Sequence, residues 1–134
     1  MDLVLVSCVS KKQNRAMPAR DLYISDWFLK ASAYAARLSP RWFILSAKYG
    51  LVHPGQVIAP YNITLKKMTA EERRRWAAGV LASLQPHLQD TGRVIFLAGL
   101  VYRENLVVPI RNRGHEIIIP MEGMRIGEQL QWLK

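Results

Sequence analysis

The stretch Leu3-Val4-Leu5-Val6-Ser7 decides the fold, because it is a short, unbroken apolar run that ends in a polar residue. Runs of this kind are typical of strands that are buried on both faces of a sheet. Three later segments have the same apolar character: Trp42-Phe43-Ile44-Leu45-Ser46, Val94-Ile95-Phe96-Leu97-Ala98 and Glu116-Ile117-Ile118-Ile119. The sequence therefore predicts four buried strands.

Patterns typical of amphipathic helices lie between and after these strands. Ser25 is a predicted N-cap for a helix whose apolar stripe runs from Trp27 to Leu38. Thr69-Ala70-Glu71-Glu72 is a capping box that opens a second helix. A third helix, shortened or kinked by Pro109, and a short C-terminal helix after Gly123 complete the pattern.

Strands that alternate with helices in this way predict an α/β fold. We expect one domain spanning residues 1–134, a three-layer sandwich with a four-stranded, mostly parallel sheet and helices on both faces. No repeat, linker or low-complexity tract interrupts the chain.

Length and composition exclude several classes of protein. The chain has no apolar run of about 18 residues, so a membrane span is not expected. The first residues fit a strand better than a signal peptide, since Asp2 stands where a positive charge is needed. One cysteine and three scattered histidines give neither a disulfide framework nor zinc spacing. We expect a cytoplasmic protein without a metal or cofactor.

The charge distribution indicates a polyanionic partner. The net charge is +9, from 19 lysines and arginines against 10 acids. Residues 11–75 hold thirteen of the bases and four of the acids, whereas bases and acids balance in the rest of the chain. A surplus confined to one half of the chain indicates a basic face. Nucleic acid, DNA or RNA, is the leading expectation; a phosphorylated small ligand and a general solubility bias are the alternatives.

Open parallel sheets bind ligands beyond the carboxyl ends of their strands. Ser7-Cys8-Val9-Ser10-Lys11-Lys12 follows the first strand and offers hydroxyls and lysines that suit an anion. Ser46-Ala47-Lys48-Tyr49-Gly50 follows the second strand, and the long segment after it has no clear helix. We expect the hydroxyl, aromatic and basic side chains of this rim to bind substrate, namely Ser7, Ser10, Lys11, Lys12, Arg20, Tyr23, Ser25, Ser46, Tyr49 and Tyr61.

Three side chains are candidates for catalysis. Glu122 follows the fourth strand and is suited to act as a general base or to position water. Lys48 is placed to hold a phosphate at the end of the second strand. Cys8 is either a thiol nucleophile activated by nearby lysines or a buried structural thiol, and no histidine stands near it in sequence to act as a base.

The motifs at the strand ends resemble those of a group of small bacterial and phage α/β domains of unknown function. The resemblance is carried by Ser7-Cys8-Val9-Ser10-Lys11-Lys12, by Ala19-Arg20-Asp21-Leu22-Tyr23 with Ser25, by Ile44-Leu45-Ser46-Ala47-Lys48-Tyr49-Gly50-Leu51-Val52, by Pro60-Tyr61 and by Pro120-Met121-Glu122-Gly123-Met124-Arg125-Ile126-Gly127. It spans most of the chain.

More distantly, the stretch from Cys8 to Ser25 is similar to the Cys…Lys…Tyr…Ser core of archaeosine synthases, which modify a deazaguanine base in tRNA. A looser likeness links the chain to the YaaA peroxide-stress proteins, which are DNA-binding α/β proteins. These resemblances imply nucleic acid and modified or excised bases. The leading hypothesis is thus an enzyme that acts on a nucleobase. A non-catalytic DNA- or RNA-binding module and a pocket for a free nucleotide or sugar phosphate are the alternatives.

Overall fold

The computed structural model describes residues 1–134. Its strands are β1 (Asp2–Ser7), β2 (Met17–Pro18), β3 (Trp42–Ser46), β4 (Gly50–Val52), β5 (Val57–Ile58), β6 (Arg93–Leu97) and β7 (Glu116–Ile118). Its α-helices are α1 (Ala19–Leu22), α2 (Asp26–Leu38), α3 (Ala70–Leu88), α4 (Leu100–Arg103), α5 (Val107–Asn112) and α6 (Ile126–Trp132), and a 3₁₀ turn spans Leu65–Lys67.

The main sheet has five strands in the order β4-β3-β1-β6-β7. β1 is central and pairs in parallel with both β3 and β6, and β6 pairs in parallel with β7. This confirms the predicted mostly parallel α/β architecture. The fifth strand, β4, is antiparallel to β3 and was not predicted. It has three residues and returns through a tight turn that closes at Gly50 with φ of 75°, a conformation that glycine adopts at little cost.

Complete burial of the central strand shows that both faces of the sheet are covered. Leu3, Val4, Leu5 and Val6 are all fully buried, and successive side chains of a strand point to opposite faces. Helix α2 packs on β1, α3 packs on β4, and α5 packs on β7. The edge strand β7 is only half buried, because it has a neighbouring strand on one side alone.

The predicted helix starts are confirmed by their capping hydrogen bonds. The Ser25 hydroxyl accepts a hydrogen bond from the Phe28 N–H at 3.1 Å. At the start of α3, Thr69 accepts from the Glu72 N–H at 3.1 Å, and the Glu72 carboxylate accepts from the Thr69 N–H at 2.9 Å. Such caps satisfy N–H groups that have no partner inside the helix.

The predicted third helix is split into two short ones, α4 and α5. Pro109 is the third residue of α5, within the first turn, where the missing proline N–H costs no intrahelical hydrogen bond. A single helix running through this region would need that N–H, so the chain breaks at residues 104–106 instead. None of the helices combines the length and the apolar character that crossing a membrane requires.

The long segment after β4 is held by a second, two-stranded sheet. β5 pairs antiparallel with β2, with Met17 opposite Ile58 and Pro18 opposite Val57. The 3₁₀ turn at Leu65–Lys67 then leads into α3. This segment therefore returns to the carboxyl ends of the parallel strands and carries Tyr61 and two lysines to that edge.

Candidate functional site

A cleft of about 960 Å³ opens at the carboxyl ends of β1 and β6. Its walls come from four parts of the chain: residues 7–12 after β1, residues 62–67, residues 99–102 at the start of α4, and α6. Ser25 and Trp27 complete the lining beside the start of α2. The cleft thus lies at the edge of the sheet at which open parallel sheets bind ligands.

The walls of the cleft are positively charged. Lys11, Lys12, Lys66 and Lys67 line it, and no aspartate or glutamate does. None of the four lysines belongs to an ion pair. The main chain of the turn that carries Lys66 is held by Arg73, whose guanidinium donates to the Leu65 carbonyl at 2.8 Å and to the Lys66 carbonyl at 3.2 Å. The cleft therefore offers four uncompensated cations to an anionic ligand.

A chain of hydroxyl groups lies beside the cleft, across the ends of β1 and β3. The Tyr49 N–H donates to the Ser46 hydroxyl at 3.0 Å, and Ser46 donates to the Tyr61 hydroxyl at 2.8 Å. The hydroxyls of Tyr61 and Tyr23 are 2.7 Å apart. Burial raises the pKa of Tyr23 to about 12 and also raises the pKa of Tyr61. Both phenols therefore remain protonated hydrogen-bonding groups at neutral pH.

Lys12 connects the cleft with this hydroxyl chain. Its Nζ lies 4.4 Å from the centroid of the Tyr61 ring and 5.8 Å from that of Tyr23, and it donates to the Ser10 carbonyl at 3.1 Å. A main-chain bridge between Lys12 and Tyr23 holds the backbone in place. Desolvation by burial lowers the pKa of Lys12, partly offset by the nearby Cys8, which raises it.

Cys8 is at the base of the cleft. Its thiol donates a hydrogen bond to the Tyr102 hydroxyl at 3.5 Å, and both side chains are buried. The rings of Trp76 and Tyr102 pack nearly perpendicular to each other with centroids 5.8 Å apart, and the Trp76 indole N–H donates to the Ser46 carbonyl at 2.9 Å. Burial raises the pKa of the Tyr102 hydroxyl. The cleft floor thus holds a hydrogen-bonded thiol and phenol, and Trp76 connects this pair to the end of β3.

Most of the residues predicted to bind substrate, and Cys8 among the predicted catalytic residues, lie in or beside the cleft. Those that line it are Ser7, Cys8, Ser10, Lys11, Lys12 and Ser25. Tyr23, Ser46 and Tyr61 form the adjoining hydroxyl chain. Lys48 and Tyr49 occupy the exposed turn between β3 and β4, with the Lys48 Nζ 5.3 Å from the Tyr49 ring centroid and the Tyr49 ring 5.6 Å from that of Tyr61; neither lines the cleft.

Two predicted site residues lie elsewhere. Arg20 is exposed, and its guanidinium lies 4.0 Å from the Asp21 carboxylate. Its main-chain N–H donates to the Pro54 carbonyl. Glu122 is also exposed and lies 3.7 Å from the Arg103 guanidinium. Glu104, which follows Arg103 in sequence, instead faces Arg73 at 3.8 Å. Neither Arg20 nor Glu122 lines the cleft.

Several cleft residues carry no motif that would reveal them. Tyr102 fits the apolar stripe of a helix in the sequence, yet its hydroxyl meets Cys8. Asn62 lines the cleft and its amide makes no hydrogen bond within the protein. Trp27 donates its indole N–H to the Gln129 side chain at 2.8 Å, so α2 and α6 together close one wall.

Residues 3–134 match the sequence model of DUF6884, described as a family of unknown function. The chain belongs to this family. It is also 31% identical over 144 residues to the uncharacterized protein YfjM of Bacillus subtilis (strain 168), an alignment that covers 98% of this chain and 91% of that protein. No solved structure matches the chain. The match confirms the resemblance to a family of unknown function. The cleft is therefore the feature of this DUF6884 member that bears on its role.

Proposed function

We propose that this domain is a nucleic-acid-directed enzyme that acts on a nucleobase in the cleft, by glycosidic-bond cleavage, base exchange or base modification. One observation carries the proposal. Four lysines and no aspartate or glutamate line the cleft, and its floor contains the buried thiol of Cys8 and the buried phenol of Tyr102. The lysines suit a phosphate backbone, and the floor suits the polar edge of a base.

The phosphate part of the proposal rests on the position of the lysines. Lys11 and Lys12 come from the loop after β1, and Lys66 and Lys67 come from the 3₁₀ turn, so the lysines enter the cleft from two separate walls. Cations that neutralise phosphates release condensed counterions, and this supplies most of the affinity of sequence-independent nucleic-acid binding. A strand bound between the two walls meets lysines on both sides.

The nucleobase part rests on the size and lining of the cleft. Its volume of about 960 Å³ is at the upper end of ligand pockets, which run from about 300 to 1,000 Å³. Ile63, Leu100 and Ile126 are exposed apolar side chains in its walls and suit the faces of a base. Asn62 offers a free amide to a base edge. Enzymes that act on bases take them out of the stack into such pockets.

The distant resemblance of the stretch from Cys8 to Ser25 to archaeosine synthases supports the nucleobase part, since the cysteine, both lysines, the tyrosine and Ser25 of that stretch lie in or beside the cleft. The looser likeness to the YaaA proteins supports a nucleic-acid partner. Within the proposal, Lys12 and Cys8 are better placed than Glu122 to touch the substrate, because Glu122 does not line the cleft.

The experiment is binding of labelled single- and double-stranded DNA and RNA across a salt series. We expect log affinity to fall steeply with log salt concentration, by about 0.7–0.9 for each phosphate neutralised. The double variant Lys66→Gln/Lys67→Gln should reduce that slope by about 1.5. Its matched control is Arg111→Gln/Arg113→Gln, which removes the same charge from exposed residues before β7, at the opposite end of the sheet, and should leave the slope nearly unchanged.

Three outcomes contradict the proposal in different ways. Absence of binding at low salt, with thermal stabilisation by a mononucleotide, favours a pocket for a free nucleotide or sugar phosphate. Salt-dependent binding without release or exchange of any base from substrates carrying modified bases favours a non-catalytic module. Equal loss of slope in both double variants assigns the binding to net charge instead of the cleft.

A further inference from the structure

Lys12 differs from the other three lysines of the cleft. Lys11, Lys66 and Lys67 are exposed, whereas Lys12 is half buried. Its amine is held over the Tyr61 ring and donates to the Ser10 carbonyl, and no carboxylate lies within 4.0 Å of it. It is therefore a lysine fixed in position, partly removed from water, and without the counter-ion that a structural lysine usually has.

We propose that Lys12 is the covalent nucleophile of this site, and that its amine forms an imine with the aldehyde carbon C1′ of a sugar in nucleic acid from which the base has been removed. This inference rests on the proposed function and names the group that it acts on. The other three cleft lysines, Lys11, Lys66 and Lys67, hold the neighbouring phosphates, and the polar floor faces the space that the missing base has left.

The surroundings of Lys12 suit an amine that reacts. A lysine becomes a nucleophile when desolvation lowers its pKa and so raises the fraction of neutral amine, and burial has this effect on Lys12. The faces of Tyr61 and Tyr23 lie beside the amine and favour its ammonium form, and the charge interaction with Cys8 also raises the pKa of Lys12. Desolvation is the largest influence, so the pKa of Lys12 is lowered overall.

Imine formation at Lys12 requires only proton transfers and the loss of water. The lone pair of Nζ attacks C1′ of the open-chain sugar, a C–N bond forms, and the carbonyl π electrons move to oxygen. That oxygen takes up a proton and the nitrogen loses one, giving a carbinolamine. Loss of water then leaves the C=N bond, and addition of water reverses the sequence. No oxidant or reductant is needed, and the rings of Tyr61 and Tyr23 lie beside the reacting nitrogen.

The test is borohydride trapping with the full-length chain and labelled oligonucleotides, single- and double-stranded, that carry one abasic site. Borohydride reduces an imine to a secondary amine, so a covalent protein–DNA adduct appears on a denaturing gel. Mass spectrometry of the digested wild-type adduct should place the modification on Lys12. This mapping needs no variant and so does not depend on whether a variant folds.

The variant Lys12→Arg keeps the positive charge and removes the nucleophilic amine. We expect it to form at least tenfold less adduct, whereas Lys30→Arg, which changes a lysine of helix α2 that does not line the cleft, should form as much as the wild type. Circular dichroism and thermal unfolding report whether both variants are folded. Binding in the salt series should be nearly the same for both.

An adduct that maps to Lys11, Lys66 or Lys67, or that persists in Lys12→Arg, overturns the inference. So does the absence of an adduct from wild-type protein that binds the abasic oligonucleotide, and in that case the proposed function still stands. Loss of both the adduct and the binding at low salt contradicts the inference and the proposed function together.

Discussion

The Tyr61 hydroxyl lies between two other buried hydroxyls, those of Ser46 and Tyr23. Ser46 also accepts from the Tyr49 N–H, but Tyr23, which is fully buried, has Tyr61 as its hydroxyl partner. The variant Tyr61→Phe keeps the ring under Lys12 and leaves the Tyr23 hydroxyl without a partner. We expect the free energy of unfolding to fall by about 1–3 kcal/mol, measured by urea denaturation.

Tyr34→Phe is the matched control for this change. The Tyr34 ring packs on Trp132 with centroids 4.9 Å apart, and its hydroxyl makes no hydrogen bond within the protein. Its loss should change the free energy of unfolding by less than about 0.5 kcal/mol. Equal urea midpoints for the two variants would show that the hydroxyl chain contributes nothing to stability.

Individual residues show what the sequence could predict of the site. Ser10, Lys11 and Lys12 directly follow a strand that is recognisable from its apolar run, so their place at the strand end was predictable. Tyr61 is 38 residues from Tyr23 along the chain, and a local sequence pattern cannot predict a contact over that separation. Glu122 follows a strand as well, yet it points to Arg103, because the direction of a side chain after the edge strand depends on tertiary neighbours.

At the scale of elements, Arg73 ties the lysine-bearing 3₁₀ turn to helix α3. Its guanidinium donates to the carbonyls of Leu65 and Lys66, a pair of bonds that a lysine cannot reproduce. In Arg73→Lys the free energy of opening the turn should fall by about 1 kcal/mol, so the turn opens more often. Trypsin should then cleave after Lys66 and Lys67 roughly fivefold faster, since cleavage follows the population of the opened turn.

Arg74→Lys provides the control on the same helix turn. Arg74 is exposed and makes neither a hydrogen bond nor an ion pair, and the substitution again replaces one trypsin-sensitive residue by another. Its cleavage pattern should match that of the wild type. If Arg73→Lys is also cut at the wild-type rate, Arg73 does not hold the turn and the lysines of this wall are ordered by the Thr64 cap alone.

The elements that the sequence did not predict are short, and their form depends on pairing or packing with other parts of the chain. β4 has three residues and begins at a glycine, so it is too short to show alternation, and its pairing with β3 arises from the tight turn before it. The break between α4 and α5 follows from packing on the 3₁₀ turn and on β7, in addition to Pro109. Long periodic elements such as α2 and α3 were predictable, because their caps and apolar stripes are local.

At the scale of the whole molecule, the fold brings four lysines of the basic half of the chain to one edge of the sheet. Lys11 and Lys12 lie more than 50 residues from Lys66 and Lys67 in sequence, yet the four line one cleft. The parallel order of β3, β1 and β6 produces this, since it places three loops at the same edge. The same edge buries three phenols, Tyr23, Tyr61 and Tyr102, so stability there depends on pH.

Stability should fall in the alkaline range. The pKa of Tyr23 is about 12 in the folded protein, against an ordinary value of 10.0, and burial also raises the pKa of Tyr61 and Tyr102. Between pH 10 and pH 12 the unfolded chain releases protons that the folded protein keeps, so the free energy of unfolding declines as pH rises. Tyr23 alone accounts for up to about 3 kcal/mol. The lowered pKa of Lys12 makes the free energy of unfolding rise with pH, but this is one group against three tyrosines, so the decline prevails.

Urea denaturation from about pH 9 to pH 12 measures this decline, and the near-ultraviolet absorbance of tyrosinate measures ionisation directly. In the folded protein Tyr23, Tyr61 and Tyr102 should stay protonated past pH 10 and ionise together with the loss of secondary structure. In urea-unfolded protein at the same pH, all five tyrosines should titrate with an ordinary phenol pKa. Ionisation of all five near pH 10 while circular dichroism still reports the fold would mean that water reaches the three phenols freely. The cleft floor would then lack the desolvation that the reactivity of Lys12 depends on.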